Sequence, residues 1–218
     1  MNIKFYVWSG VIALSVLLPA SQLQARPVSY PGGWTVMVMN DGESNSLHTH
    51  YSPSVNYSIG LRNEYHRDKE YYLNSMQVNN LLKRWNKGAS QANIYLKSGI
   101  GSAYTDHGDF DHKQNLAGFT GLAADWETRR WFTSYENRYV HAGSIDTAYS
   151  QKARLGVAPY IGDFGDLHTW MMVEIAHQPE DEDQFTVTPL VRLFKGPVLT
   201  EAGMSLDGNI LFNFVYRF

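Results

Sequence analysis

Apolar and polar residues alternate with a period of two along most of this chain, in short runs separated by clusters of Gly, Pro, Asn, Asp and Ser. That is the rhythm of strands and turns. The clearest run is 209–218. Ile210, Phe212, Phe214, Tyr216 and Phe218 fall on one face, and Asn209, Leu211, Asn213, Val215 and Arg217 on the other. Read the same way, the chain predicts strands at 34–40, 46–51, 55–66, 71–85, 91–104, 116–126, 130–141, 148–160, 167–177, 184–194, 198–206 and 209–218. The fold class is therefore all-β, with about twelve strands. Ten is the alternative, for two reasons. Leu81 and Leu82 put apolar side chains on opposite faces of the fourth strand, as a bulge would, and Pro189 withholds a donor from the tenth.

The alternation also sorts the charges. Leu61, Leu96, Tyr135, Leu155, Val173 and Val191 share faces with other apolar residues. The opposite faces carry the bases Arg62, Lys97, Arg138, Lys152, Arg154 and Arg192 and the acids Glu64, Asp125, Glu136, Glu174, Glu201 and Asp207. A soluble sheet would turn the apolar face inward, whereas a membrane barrel turns it to lipid. Periodicity alone does not choose between them.

The strand ending in Phe214, Tyr216 and Phe218 resembles the closing strand of Gram-negative outer-membrane β-barrels. The resemblance covers ten residues. It implies a single antiparallel up-and-down transmembrane β-barrel in the bacterial outer membrane. It also implies that this aromatic terminus is the signal read by the barrel-assembly machinery. The expected partners are that machinery, outer-membrane lipid and lipopolysaccharide. Aromatic placement agrees: Tyr65, Tyr71, Tyr104, Tyr139 and Tyr149 lie at one set of strand ends, and Trp85, Trp126, Trp131 and Tyr160 at the other, like interfacial girdles.

The first 25 residues read as a cleaved signal peptide: Lys4, an apolar run at 7–18, Pro19, then Ala20 or Ala25 as the cleavage residue. That apolar run is shorter than the ~20 residues a spanning helix needs. Residues 26–218 form one barrel domain, and twelve strands of about 9–11 residues fit within it. The absence of cysteine excludes a lipidated Cys, disulfides and thiolate chemistry. A net charge of −3 with no basic cluster argues against a nucleic-acid partner.

Six charges of each sign on the inward faces point to ion pairs across a narrow interior rather than a pore biased to one sign. The function that follows is a non-catalytic, narrow porin-like channel for small polar solutes, or a largely closed structural barrel, without a cofactor. Three alternatives stand beside it. His48 and His50 share a face, and Met37 and Met39 precede them, so a copper-type metal site is one. It depends on the turn: five residues would set the methionines opposite the histidines, and four would set Met37 beside His48. The second alternative is a lipid-modifying hydrolase, although Ser134 shares its face with Glu136 and Arg138 while His141 lies on the other. The third is a soluble periplasmic ligand-binding barrel. Residues Asp106–His112 form an acidic loop with His107 and His112; its bland reading is a solvated loop, its sharper one a divalent-cation site.

Overall fold

The computed structural model describes residues 28–107, 112–181 and 183–218. The signal segment 1–25 and positions 108–111 of the acidic loop lie outside the described residues. Twelve strands follow in chain order: β1 (Trp34–Asn40), β2 (Ser44–Tyr51), β3 (Tyr57–His66), β4 (Tyr71–Lys87), β5 (Ser90–Thr105), β6 (Lys113–Thr128), β7 (Trp131–His141), β8 (Thr147–Val157), β9 (His168–His177), β10 (Phe185–Lys195), β11 (Val198–Met204) and β12 (Ile210–Arg217). Each pairs antiparallel with the next, and β12 closes on β1. Closure leaves no sheet edge, which a hydrocarbon surrounding requires.

Both features that argued for ten strands have a local explanation. The register slips between Leu81 and Lys83, so a bulge at Leu82 lets both leucines remain within one strand. Pro189 pairs with Val173 of β9, but the β10–β11 ladder starts only at Leu190. Its missing donor therefore falls just beyond the ladder. The Asp207-Gly208 hairpin holds as a turn, with Gly208 at φ 89°, a value that favours glycine.

Residues are joined at two distinct rims. At the terminal rim, the Trp34 amide donates to the Phe218 carbonyl at 2.7 Å, and the β6–β7 turn lies at the same end. The loop rim carries the connections at 106–112, 142–146 and 178–184. The terminal rim has mostly short turns, with 158–167 the exception. Strands β4 to β6 are 16 or 17 residues long and the others at most 11. Following cross-strand partners around the barrel from Trp131 arrives on β6 at Gln114, whereas Trp131 itself lies beside Thr128, a stagger of 14 residues. A stagger of that size tilts twelve strands by about 40°.

Side-chain direction decides between the two readings the period left open. Met76 is 70% exposed and Leu155 60%, while Glu64 and Glu201 are each 2% exposed and Glu174 3%. Apolar side chains look outward and ionic ones inward. This is the pattern of a transmembrane barrel and excludes the soluble alternative, whose apolar side chains would fill the centre. On β12, Ile210, Phe212, Tyr216 and Phe218 are exposed, Phe214 is half-buried, and Leu211, Asn213, Val215 and Arg217 are buried.

Trp85, Trp126, Trp131 and Tyr160 form an exposed ring at the terminal rim, and Tyr65, Tyr72, Tyr104 and Tyr139 ring the loop rim. Tyr71 corrects the expected girdle. It begins β4 on the inward face and is fully buried, so its neighbour Tyr72 stands against Tyr65 instead, ring centroids 4.8 Å apart.

Candidate functional site

The barrel encloses a cavity of about 630 Å³, lined from the β1–β2 turn at Asp41 and Glu43 down to Tyr95, Asp125 and Phe132. Two apolar clusters narrow it. Near the loop rim, Ile145 of the β7–β8 loop packs with Tyr71, Leu73 and Phe119. That loop is pinned inward: the Tyr71 hydroxyl donates to Asp146 at 2.9 Å, and the Asn115 amide donates to the Ala142 carbonyl at 3.2 Å. On the other side Phe132, Trp170, Met172, Leu190 and Leu211 pack together.

Ionic side chains fill what remains, in two arrangements. In the first, pairs cross the lumen. Glu64 on β3 accepts from both terminal nitrogens of Arg138 on β7, at 2.7 and 2.6 Å, and from Arg62 at 2.6 Å. Both guanidiniums lie over the Phe119 ring, Arg138 4.2 Å and Arg62 5.2 Å from its centroid. Phe119 lies so close to β5 that a Cβ at Gly99 would come within 2.4 Å of the ring. Lys97 donates to Glu136 at 2.7 Å, and Lys152 on β8 reaches Asp41 in the β1–β2 turn at 2.7 Å.

The second arrangement runs along one wall. Arg154 donates to Glu174 at 2.5 Å and to Glu201 at 3.1 and 3.2 Å. Arg192 donates to Glu201 at 2.6 Å and stacks 4.5 Å above the Phe132 centroid. The Asn213 amide adds a third donor to Glu201 at 2.7 Å. Charges so buried are tolerable only when they are paired, as these are, and Glu201 gathers three donors. Asp125 is approached by Asn93 at 2.7 Å, and Asn93 in turn by Arg84.

Asp207 is the exception among the inward residues read from the sequence. It lies exposed in the β11–β12 turn, because β11 ends at Met204 and the alternation stops there. The alternation of strands also could not supply Asp41, which sits in a turn, or Glu127, which extends β6 inward and is buried. Phe119 was equally hidden, since one aromatic on an inward face looks like filler until two arginines are found on it.

The mouth itself is acidic. Burial alone would raise the Asp41 carboxyl, but Lys152 and the amides of Ser44 and Glu43 hold it well below the usual carboxylate range. Glu43 has no such cradle. Burial pushes it up to about 7, helped by Asp41, Asp181 and Glu174 and opposed by Lys152. Asp181 is also raised, first by burial and then by Asp68 and Glu180.

Met37 does stand beside His48, the register that the four-residue turn implied. The His48 Nε2 nonetheless bonds the Ser46 hydroxyl at 2.9 Å, and Arg62, a fixed cation, is its cross-strand partner on β3. His50 is buried beside Asn79. Among the described residues no group of three or more His, Cys, Asp or Glu side chains is arranged to hold a metal. Ser134 lines the lumen, whereas His141 is exposed and bonds Thr147 at 3.0 Å.

Fold and lumen together define a transmembrane β-barrel with a charged interior. No protein-family model matches the chain, and no curated protein matches it. Among solved structures, the KdgM porin in complex with disordered oligogalacturonate aligns at a TM-score of 0.49 and 7% identity, covering 85% of this chain and 98% of that one. The KdgM porin on its own gives 0.49 and 8% over the same shares. OccK8 (OprE) of Pseudomonas aeruginosa gives 0.42 and 5%, covering 83% of this chain and 62% of that one. The likeness is architectural.

Proposed function

We propose that this protein is a non-catalytic, narrow channel of the bacterial outer membrane for small polar solutes, including zwitterions. The observation that carries the reading is the cavity of about 630 Å³ lined by charges of both signs, most of them already paired. Paired charges leave little net field to pull one sign of ion through, yet they keep the passage wet and polar. Solutes that carry both charges, or none, can exchange hydrogen bonds with such walls at low cost.

A second reading, a largely closed structural barrel, is favoured by the Glu64–Arg138 and Asp41–Lys152 pairs lying across the same passage. Planar-bilayer recording of the purified barrel, joined to swelling assays with glycine and small sugars, separates them. Small conductance steps with glycine flux are expected. A folded, inserted barrel that gives neither steps nor swelling would overturn the channel and leave the structural reading.

A further inference from the structure

The cavity opens at the loop rim but stops short of the other end. Its lining finishes at Tyr95, Asp125 and Phe132 and does not reach the terminal rim. Inward side chains within a residue of the strand ends at that rim would face an open mouth. They are covered instead. Ser58 on β3 is 0% exposed, and Thr35 on β1, Glu127 on β6, Leu199 on β11 and Arg217 on β12 are all buried.

On the β1–β3 side, the chain's own lead-in to β1 lies over them. The Ser29 amide donates to the Ser52 hydroxyl at 3.0 Å. Ser52 continues the inward alternation of Ser46, His48 and His50 and is buried like them. The backbone at 29 therefore sits inside the mouth, and Val28 before it is buried. Ser58 stands beside Ser52, because Tyr51 pairs with Ile59 and the next antiparallel pair is Ser52 with Ser58. Across the lumen, the cluster of Phe132, Trp170, Met172, Leu190 and Leu211 completes the seal.

This lead-in is hinged and lightly held. The Gly32 amide donates to the Ser52 carbonyl at 2.8 Å, and the Ser52 amide to the Gly33 carbonyl at 3.0 Å, so the chain is fixed from Gly32 onward. Gly32 itself has φ 83°, a value that favours glycine. Before it, the Ser29 amide makes the single hydrogen bond from 28–31 to the barrel wall among the described residues. The Ser29 and Thr35 hydroxyls are buried there without a partner, a cost that water would remove if the segment lifted.

We propose that residues 28–33 are a strap that seals the terminal mouth and swings out at Pro31-Gly32 to open the lumen. Opening serves transport only if the barrel conducts, as the channel reading holds, yet the seal itself can be read without conduction.

Because the chain has no cysteine, Ser58→Cys gives a single reporter thiol behind the strap. Slow labelling of the folded barrel in micelles by a charged methanethiosulfonate is expected. Adding Val28→Asp, which puts a charge into a buried apolar seat, should speed it about tenfold. Val28→Ser should speed it less. Val55→Asp, at an exposed position of the β2–β3 turn on the same rim, should leave it unchanged. In planar bilayers, Ser29→Cys/Ser52→Cys should show few openings when oxidised and recover them on reduction. Heat-modified gel mobility checks folding of every variant. Labelling that is fast in Ser58→Cys alone, or indifferent to both Val28 variants, would overturn the strap. So would openings that oxidation of the double variant leaves unchanged. Faster labelling with Val28→Asp but no conductance from any variant would uphold the strap as a seal and overturn the channel.

Discussion

On the β8–β11 wall, Arg154 faces Glu174 and Arg192 faces Glu201 as direct cross-strand partners. Glu64, by contrast, finds Arg138 four strands away, and Lys152 finds Asp41 across the barrel in a turn. The residue types are the same and the consequences differ. Wall pairs connect neighbours already joined by the backbone ladder, so they lock register and use up charge without obstructing the passage. Crossing pairs add little to the ladder, but they occupy the lumen. Burial makes the first kind a matter of stability, and position makes the second a matter of permeation.

The sharpest way to break this contrast is Glu201→Ala. It strips Arg154, Arg192 and Asn213 of a shared acceptor, and loss of one partner from a buried ionic set costs about 3–5 kcal/mol. Denaturant unfolding from lipid vesicles should register that loss, with conductance changed little. A near-zero cost would remove the structural role of the wall array. The paired variant Glu64→Gln/Arg138→Met takes away both members of a crossing strut. The variant leaves Arg62 facing a neutral amide in place of its carboxylate. Unfolding should therefore register a loss, smaller than that of Glu201→Ala, which strands two arginines, while single-channel conductance rises severalfold. Unchanged conductance would mean the strut does not limit the passage.

Lys152→Met should produce a smaller rise in conductance, because Asp41 remains held in place by the Ser44 and Glu43 amides. The smallest expected effect belongs to Glu43, whose carboxyl is pushed up to about 7 from an ordinary 4.5. Between those values the folded state binds more protons than the unfolded one, so stability falls as pH rises through this window. Glu43→Gln should flatten that fall. The same ionisation adds a negative charge at the mouth, so preference for cations over anions should increase from pH 6 to 8 in wild type and not in the variant. Reversal potentials across a salt gradient measure it.

Strand existence and facing were legible in the sequence because a period of two is a local property. Leu155 and Arg154 are adjacent and must point oppositely in any extended chain. Errors arose where the alternation begins or stops. Tyr71 reads as part of the girdle although the inward face starts with it, and Asp207 reads as inward although β11 ends at Met204. Of the lumen, the charged residues could be read but not their partners. Nothing local links Lys152 to Asp41, 111 residues away.

By itself, then, the sequence determined an all-β chain with one apolar and one ionic face per strand, and a strand number near twelve. Only the tertiary structure decided that the apolar face looks outward, that Phe119 carries two arginines, and that Glu64 spans to Arg138. The physical reason is closure. Cross-lumen distances are set by the 14-residue stagger and the tilt that it imposes on all twelve strands. That quantity is a sum over every register in the barrel, and no single stretch of residues contains it.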